Sequence, residues 1–239
     1  MAFTTTIVTS NIRSNPIQHY VPVRNRIRRA AGLGQINIGQ EIAPEKHTRA
    51  VRKSGRKSMM AIWTSQMTAH GKKTFGTGGE IPISIPEHWP VDRSVVHFVH
   101  KGIHKVTPNR YINELRVSPY GLKICILAGH PVSKGYYPAG RRGIKGLADR
   151  RKFLAEYEAD WDRLADAAVA DGYTVLGGGD MNHPSFPFPG AHQLAHSRLD
   201  HLWVRLAKGA HLAHASAHYI SRNVAMDHPI LYATVTLDN

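Results

Sequence analysis

The sequence predicts an α/β sandwich, and three observations predict it. Runs rich in Thr, Ile and Val that read as strands lie near both ends of the chain. One long amphipathic helix stands between them, and short apolar runs bounded by turn residues interleave with helical segments. With 239 residues, 42% of them apolar, the chain can bury a sizeable core. It has no internal repeat, low-complexity linker or composition break, so residues 1–239 are expected to form one domain.

The elements follow in order. Phe3 to Ile12 reads as the first strand. HYVPVRNRIRRAAGLG then has Pro22 near a helix start, apolar Val23, Ile27 and Ala30/Ala31, and a glycine stop. INIGQEI is a second strand that closes on Glu41, and EKHTRAVRKSG a short helix exposing Arg49, Arg52 and Lys53. Residues 59 to 128 read as several strands, among them MMAIW, GEIPISI, SVVHFVH and LKICILA, with a mobile loop at Gly71 to Gly79. From Gly146 to Ala170, Leu147, Leu154, Tyr157, Trp161, Leu164 and Ala168 recur at spacings of three, four and seven, which makes one apolar helix face. Asp171-Gly172 ends that helix, and YTVLGGGDMN, RLDHLWVRL, AHYISRN and PILYATVTL read as the remaining strands.

A formal charge of +14 favours polyanions, nucleic acid before anionic surfaces or acidic small molecules. The single cysteine, Cys125, excludes an internal disulfide framework and a cysteine-rich zinc site, and its apolar surroundings make it a small core residue. MAFTTTIVTSNI lacks the pattern of a signal peptide, and no apolar run is long enough to span a bilayer. An intracellular, cytoplasmic protein without membrane attachment or an obligate protein partner is the expectation.

Polar groups at the ends of apolar strands carry the functional signal. They are Asn11, Glu41, His130, the pair Asp180 and Asn182 in VLGGGDMN, Asp200-His201, and Asp227-His228. A charge beside a buried strand is costly unless it is paired or holds a metal. Along an extended backbone, Asp180 and Asn182 would project to the same side, and the three preceding glycines would allow close approach of backbone or ligand. Each residue alone has an ordinary reading: Asn11 as a turn residue, Glu41 as a helix cap, His130 as a loop opener before Pro131. The histidines at 192, 196, 201, 211, 214 and 218 read mainly as surface and packing residues.

Taken together, TSN around Asn11, GQEI around Glu41, GHPVS around His130, GGDMN around Asp180 and Asn182, RLDH around Asp200 and MDHP around Asp227 and His228 stand in a recognisable order. The chain resembles, from end to end, the endonuclease/exonuclease/phosphatase superfamily of deoxyribonuclease I-like enzymes. Met226 stands where family members usually carry Ser or Thr, and Gly129 where they tend to have a small polar residue.

The resemblance implies a four-layered α/β sandwich, two packed β-sheets flanked by helices, that hydrolyses phosphate esters. It implies Mg²⁺ (or Mn²⁺) held chiefly by Glu41, with Asn11 close by and Asp227 contributing. Asp180 would orient or deprotonate the attacking water, and Asn182 would hold that water or a phosphate oxygen. His228, oriented by Asp200, would contact the phosphoryl group, with His130 as a second imidazole. Lys134, Arg141 and Arg142 would contact substrate phosphates. The positive charge favours a nuclease acting on DNA with little sequence preference, RNA remaining open. A phosphatase or phosphodiesterase of small or lipid esters, and a nucleic-acid-binding protein without activity, are the alternatives.

Overall fold

The computed structural model describes residues 2–11, 35–40, 56–58, 81, 83–86, 88–100, 110–131, 146–183, 188–220 and 228–238. Within them lie two six-stranded mixed sheets packed face to face. In the first, β1 (Phe3–Asn11) runs parallel to β2 (Ile36–Gln40) and antiparallel to the last strand, β12 (Ile230–Asp238). β11 (His211–Ile220) pairs outside β12, while β4 (Ile83–Pro86) and then β3 (Arg56–Ser58) extend the other side. The second sheet has the order β5 (Val91–His100), β6 (Arg110–Val117), β7 (Ile124–Gly129), β8 (Thr174–Asp180), β10 (Asp200–Arg205), β9 (His192–His196). Its central pair, β7 and β8, is parallel, and the connection between them contains α1 (Gly146–Ala170).

Side-chain alternation decides what each face meets. Leu231, Ala233, Val235 and Leu237 of β12 point inward, joining Ile7, Ile38, Ile126, Leu176 and Leu202 in the core between the sheets. The intervening threonines form an outward ladder, Thr4 with Thr236 at 3.0 Å and Thr6 with Thr234 at 2.9 Å. On the other face of the second sheet, α1 lays Tyr157, Trp161, Leu164 and Ala168 onto Ile112, Cys125, Leu127, Val175 and Trp203. This is the apolar stripe expected from its spacing. β8 is therefore covered on both sides, which is why it reads as a continuous non-polar run.

β6 has no counterpart among the runs named from sequence, because its polar residues face inward on both sides. The Asn113 amide donates to the Ile81 carbonyl, while buried Glu114 accepts from His97 Nε2 at 2.6 Å and from Arg116, whose guanidinium also reaches Asp171 beyond the end of α1. β9 also has no counterpart among those runs, its His192 and His196 being expected as surface and packing residues, and β11 begins six residues before the AHYISRN run. Arg205 fastens α1 to β10 through Asp162 and Asp166 and reaches the Pro189 carbonyl. The helices expected within 19–34 and 45–55, the MMAIW strand and the loop at 71–79 lie outside the described residues. No helix among the described residues is long and apolar enough to cross a membrane.

Burial pushes the Glu114 carboxyl up, but the hydrogen bonds and charges of His97 and Arg116 outweigh it and hold the group below its ordinary 4.5. Its charge therefore stabilises the fold above that pH, and the contribution is lost as pH falls through the lower, folded-state value. Glu114→Gln should cost about 3 kcal/mol at neutral pH, the scale for removing one partner of a buried ion pair. The deficit, measured by chemical denaturation, should shrink below pH 4.5. A constant difference at every pH would contradict this account.

Candidate active site

Two sheet ends converge on Asp180. β1 delivers Asn11, whose Nδ2 donates to Asp180 Oδ2 at 2.8 Å across the gap between the sheets. β10 places Asp200 directly opposite Asp180, and β12 starts just after His228, with Ile230 paired to Ser10. His228 Nδ1 lies 3.0 and 3.2 Å from the two Asp200 oxygens, which puts its proton on Nδ1 because a carboxylate can only accept. Its Nε2 then faces Asp180 Oδ2 at 3.6 Å, and His130 Nε2 faces the same oxygen at the same distance. Five residues expected from sequence, Asn11, His130, Asp180, Asp200 and His228, thus meet around one carboxylate.

Asn182 joins them differently from the expectation. The strand ends at Asp180, and Asn182 adopts a left-handed conformation (φ 52°) that asparagine tolerates. Its backbone N–H donates to Asp180 Oδ1 at 3.0 Å and its side-chain amide to the Pro131 carbonyl at 3.0 Å. The two side chains are not projected in parallel; the residues close a short turn that fixes Asp180 from behind.

The glycines serve packing. A Cβ on Gly177 would fall 2.1 Å from the Trp203 ring, and one on Gly178 would fall 2.5 Å from Leu202. Gly179 has φ 152°, and a Cβ there would meet the Gly129 carbonyl oxygen at 2.0 Å. Gly129 has the same constraint, since a Cβ would strike Trp161 at 1.9 Å and the Tyr157 hydroxyl at 2.3 Å. The indole of Trp161 takes the volume that a side chain at this position would need, which accounts for glycine before His130.

Supporting residues escaped the sequence reading. Ser197 Oγ donates to Asp200 Oδ2 at 2.7 Å, and Arg110 donates to the His130 carbonyl at 3.1 Å. The Tyr157 hydroxyl accepts from the His130 N–H at 3.0 Å and donates to the Tyr111 carbonyl at 2.8 Å. The spacing S-x-x-D in SRLD was a legible signal for the Ser197 contact. The other two connect residues far apart in the chain and left none. Glu41, Lys134, Arg141, Arg142 and Asp227 lie outside the described residues; Gln40, which ends β2, pairs with Asn11.

Electrostatics sharpen the picture. Burial, then the charge of Asp200, raise the Asp180 carboxyl to about 7, against the opposing pull of His228, Asn11 and the Asn182 N–H. Burial, with the positive fields of Arg110 and His228, holds His130 well below 6.5 and therefore neutral at physiological pH. Ligand atoms of Asp180, Asp200 and His228 all lie within 4.8 Å of one another, the one such group of three among the described residues. The charge of Asp200 raises the cost of ionising Asp180, so a divalent cation would relieve that carboxylate, and the oxygen-rich donor set suits a hard ion. The residues present fit a metal.

Comparison with known proteins finds no matching family model and no matching curated sequence. Solved structures do match. Truncated Caenorhabditis elegans TDP2 superposes with a TM-score of 0.67 at 16% identity, covering 98% of each chain. D. rerio TDP2 complexed with single-strand DNA product gives 0.65 at 11% identity over 99% of each chain. An endonuclease/exonuclease/phosphatase family protein from Bacteroides thetaiotaomicron gives 0.65 at 11%, over 100% of this chain and 99% of that one. The fold is that of the endonuclease/exonuclease/phosphatase superfamily, the deoxyribonuclease I-like sandwich that the motifs imply.

In metal-free protein, the Asp180 carboxyl resonance should titrate with a midpoint near 7. Asp200→Asn should lower that midpoint by removing the adjacent like charge, and Mg²⁺ should lower it as well. An Asp180 titration in the ordinary carboxylate range, unmoved in Asp200→Asn, would overturn this electrostatic assignment.

Proposed function

We propose that the protein is a divalent-metal-dependent phosphoric ester hydrolase and, within that class, a Mg²⁺-dependent nuclease that cleaves DNA with little sequence preference. The observation that carries the reading is the buried grouping of Asp180, Asp200 and His228 with Asn11 and His130 at the joined ends of two sheets. A bound cation would neutralise the non-bridging phosphoryl oxygens and stabilise the leaving alkoxide. Its ligands in this proposal are Glu41, Asn11 and Asp227, and the Asp180, Asp200 and His228 group would offer it further donors.

Asp180, ionised above about pH 7, would orient and deprotonate the attacking water. Asn11 and the Asn182 N–H each occupy one of its oxygens and hold the carboxylate in place. His228 would present Nε2 to the phosphoryl group while Asp200, itself gripped by Ser197, keeps the proton on Nδ1. His130, kept neutral, suits hydrogen bonding to a phosphoryl oxygen better than protonation of the leaving group. Lys134, Arg141 and Arg142 would contact the flanking phosphates. The charge of +14 supports nucleic acid over inositol or lipid esters, because phosphate contacts from Lys and Arg supply most sequence-independent affinity. An intracellular location fits such a substrate.

Plasmid and labelled oligonucleotide incubated with Mg²⁺ should be cleaved, and EDTA should abolish cleavage. Asp180→Ala and His228→Ala should each lower the rate by about 10²- to 10⁴-fold, the usual scale for a positioned acid or base. Phosphate release from inositol phosphates with DNA left intact would favour a phosphatase. Retarded DNA migration without cleavage would favour a binding protein.

A further inference from the structure

Strand register places the pocket inside a longer row of side chains across the second sheet. Asp200 stands opposite Asp180, and Gly129 opposite Gly179, which sets His130 beside Asp180. Ile112 pairs with Gly129, so Tyr111 comes opposite His130 one residue further along. Phe98 pairs with Tyr111 in turn. The face is the same throughout. Asn113, two residues from Tyr111, points between the sheets to the Ile81 carbonyl, and His130 reaches Asp180 on that side. Asp200, Asp180, His130, Tyr111 and Phe98 thus form one continuous line over five adjacent strands.

The line ends in an aromatic pair. The Phe98 and Tyr111 rings lie 5.6 Å apart at 65°, edge to face, and Phe98 is 54% exposed. Among the described residues the other exposed large hydrophobic, Tyr120, sits at the opposite end of β6 against the Phe3 ring. Among the described residues β5 is an edge strand, and no further described strand covers Phe98. Tyr111 is fixed from beneath by the same Tyr157 hydroxyl that accepts from the His130 N–H, so the aromatic pair and the catalytic row share one support.

We propose that Phe98, backed by Tyr111, is a base-stacking subsite for a nucleotide flanking the scissile phosphate. This rests on the nuclease reading above. Neighbouring strands lie about 4.8 Å apart, so Phe98 stands about 10 Å from His130 and about 14 Å from Asp180 along the row. A small phosphate ester held at Asp180 ends well short of it, whereas a polynucleotide crossing the row passes over the ring. An exposed aromatic face takes any nucleobase by stacking, which supplies affinity without sequence readout and agrees with a non-specific substrate.

Three proteins (the wild type, Phe98→Ala and Phe98→Trp) are compared on a single-stranded oligonucleotide and on a series with one abasic residue at successive positions around the cleavage point. p-Nitrophenyl phosphate serves as a base-free control. Phe98→Ala should lose roughly 5- to 150-fold in kcat/KM on the intact oligonucleotide, the range for one stacked base. Phe98→Trp should retain activity. At one flanking position, base removal should slow the wild type by the same factor and cost Phe98→Ala nothing further. Equal rates for the wild type and Phe98→Ala on every oligonucleotide would overturn the stacking subsite and leave the nuclease reading standing. A uniform loss in Phe98→Ala that extends to p-nitrophenyl phosphate would overturn it too, as a structural effect. A wild type that hydrolyses only the base-free ester would remove the nuclease reading and the subsite with it.

Discussion

The hydrogen bond from Asn11 to Asp180 ties the end of one sheet to the end of the other. Everything at the site depends on that junction staying closed. Asp180 is 2% exposed, and a carboxylate so placed survives only if its oxygens are satisfied and its charge is met. Asn11 satisfies one oxygen from the first sheet and the Asn182 N–H the other from the adjacent turn. Two imidazoles stand within 3.6 Å, one of them oriented by a second carboxylate. Separating the sheets would leave this buried carboxylate without Asn11 and His228. Packing of the inter-sheet core and poise of the site are therefore one constraint.

The aromatic layer on the far side of the second sheet enforces the same geometry. Trp161, Trp203 and Phe188 interlock, with ring centroids 4.4 to 5.8 Å apart, and fill the space that side chains at Gly129 and Gly177 would need. Tyr157 reaches past them to hold the backbones of His130 and Tyr111. The helix thus presses on the rear of the strands whose ends carry the site, and the glycines record where it presses. Close packing of this kind transmits small displacements instead of absorbing them.

Much of this was legible in the chain. Periodicity marks α1 and its buried residues, and alternation marks β1, β8 and β12, because each of these elements has a clean apolar pattern. The order of the polar strand ends, from Asn11 to His228, pointed to a common pocket because buried charge needs a partner. What was hidden follows from two physical causes. β6 carries Glu114 and Arg116 toward α1, and their mutual satisfaction makes buried charge look like surface. Tertiary contacts such as Tyr157 to His130, or Trp161 to the space over Gly129, depend on register between strands far apart in sequence. The turn at Asn182 was misjudged because a left-handed residue ends the alternation on which the side-by-side expectation rested.

The position of β12 between β1 and β11 has a kinetic consequence. The first strand finds its antiparallel partner more than two hundred residues downstream, with Phe3 opposite Leu237. Closing so long a loop is entropically slow, so the first sheet should be among the last parts of the molecule to assemble. During synthesis, Asp180 and Asp200 emerge before His228 has left the ribosome, and the edges of β1 and β11 stay bare in the interval. A nascent chain thus holds the Asp180 pocket still short of one ring, and it is then most exposed to aberrant strand pairing.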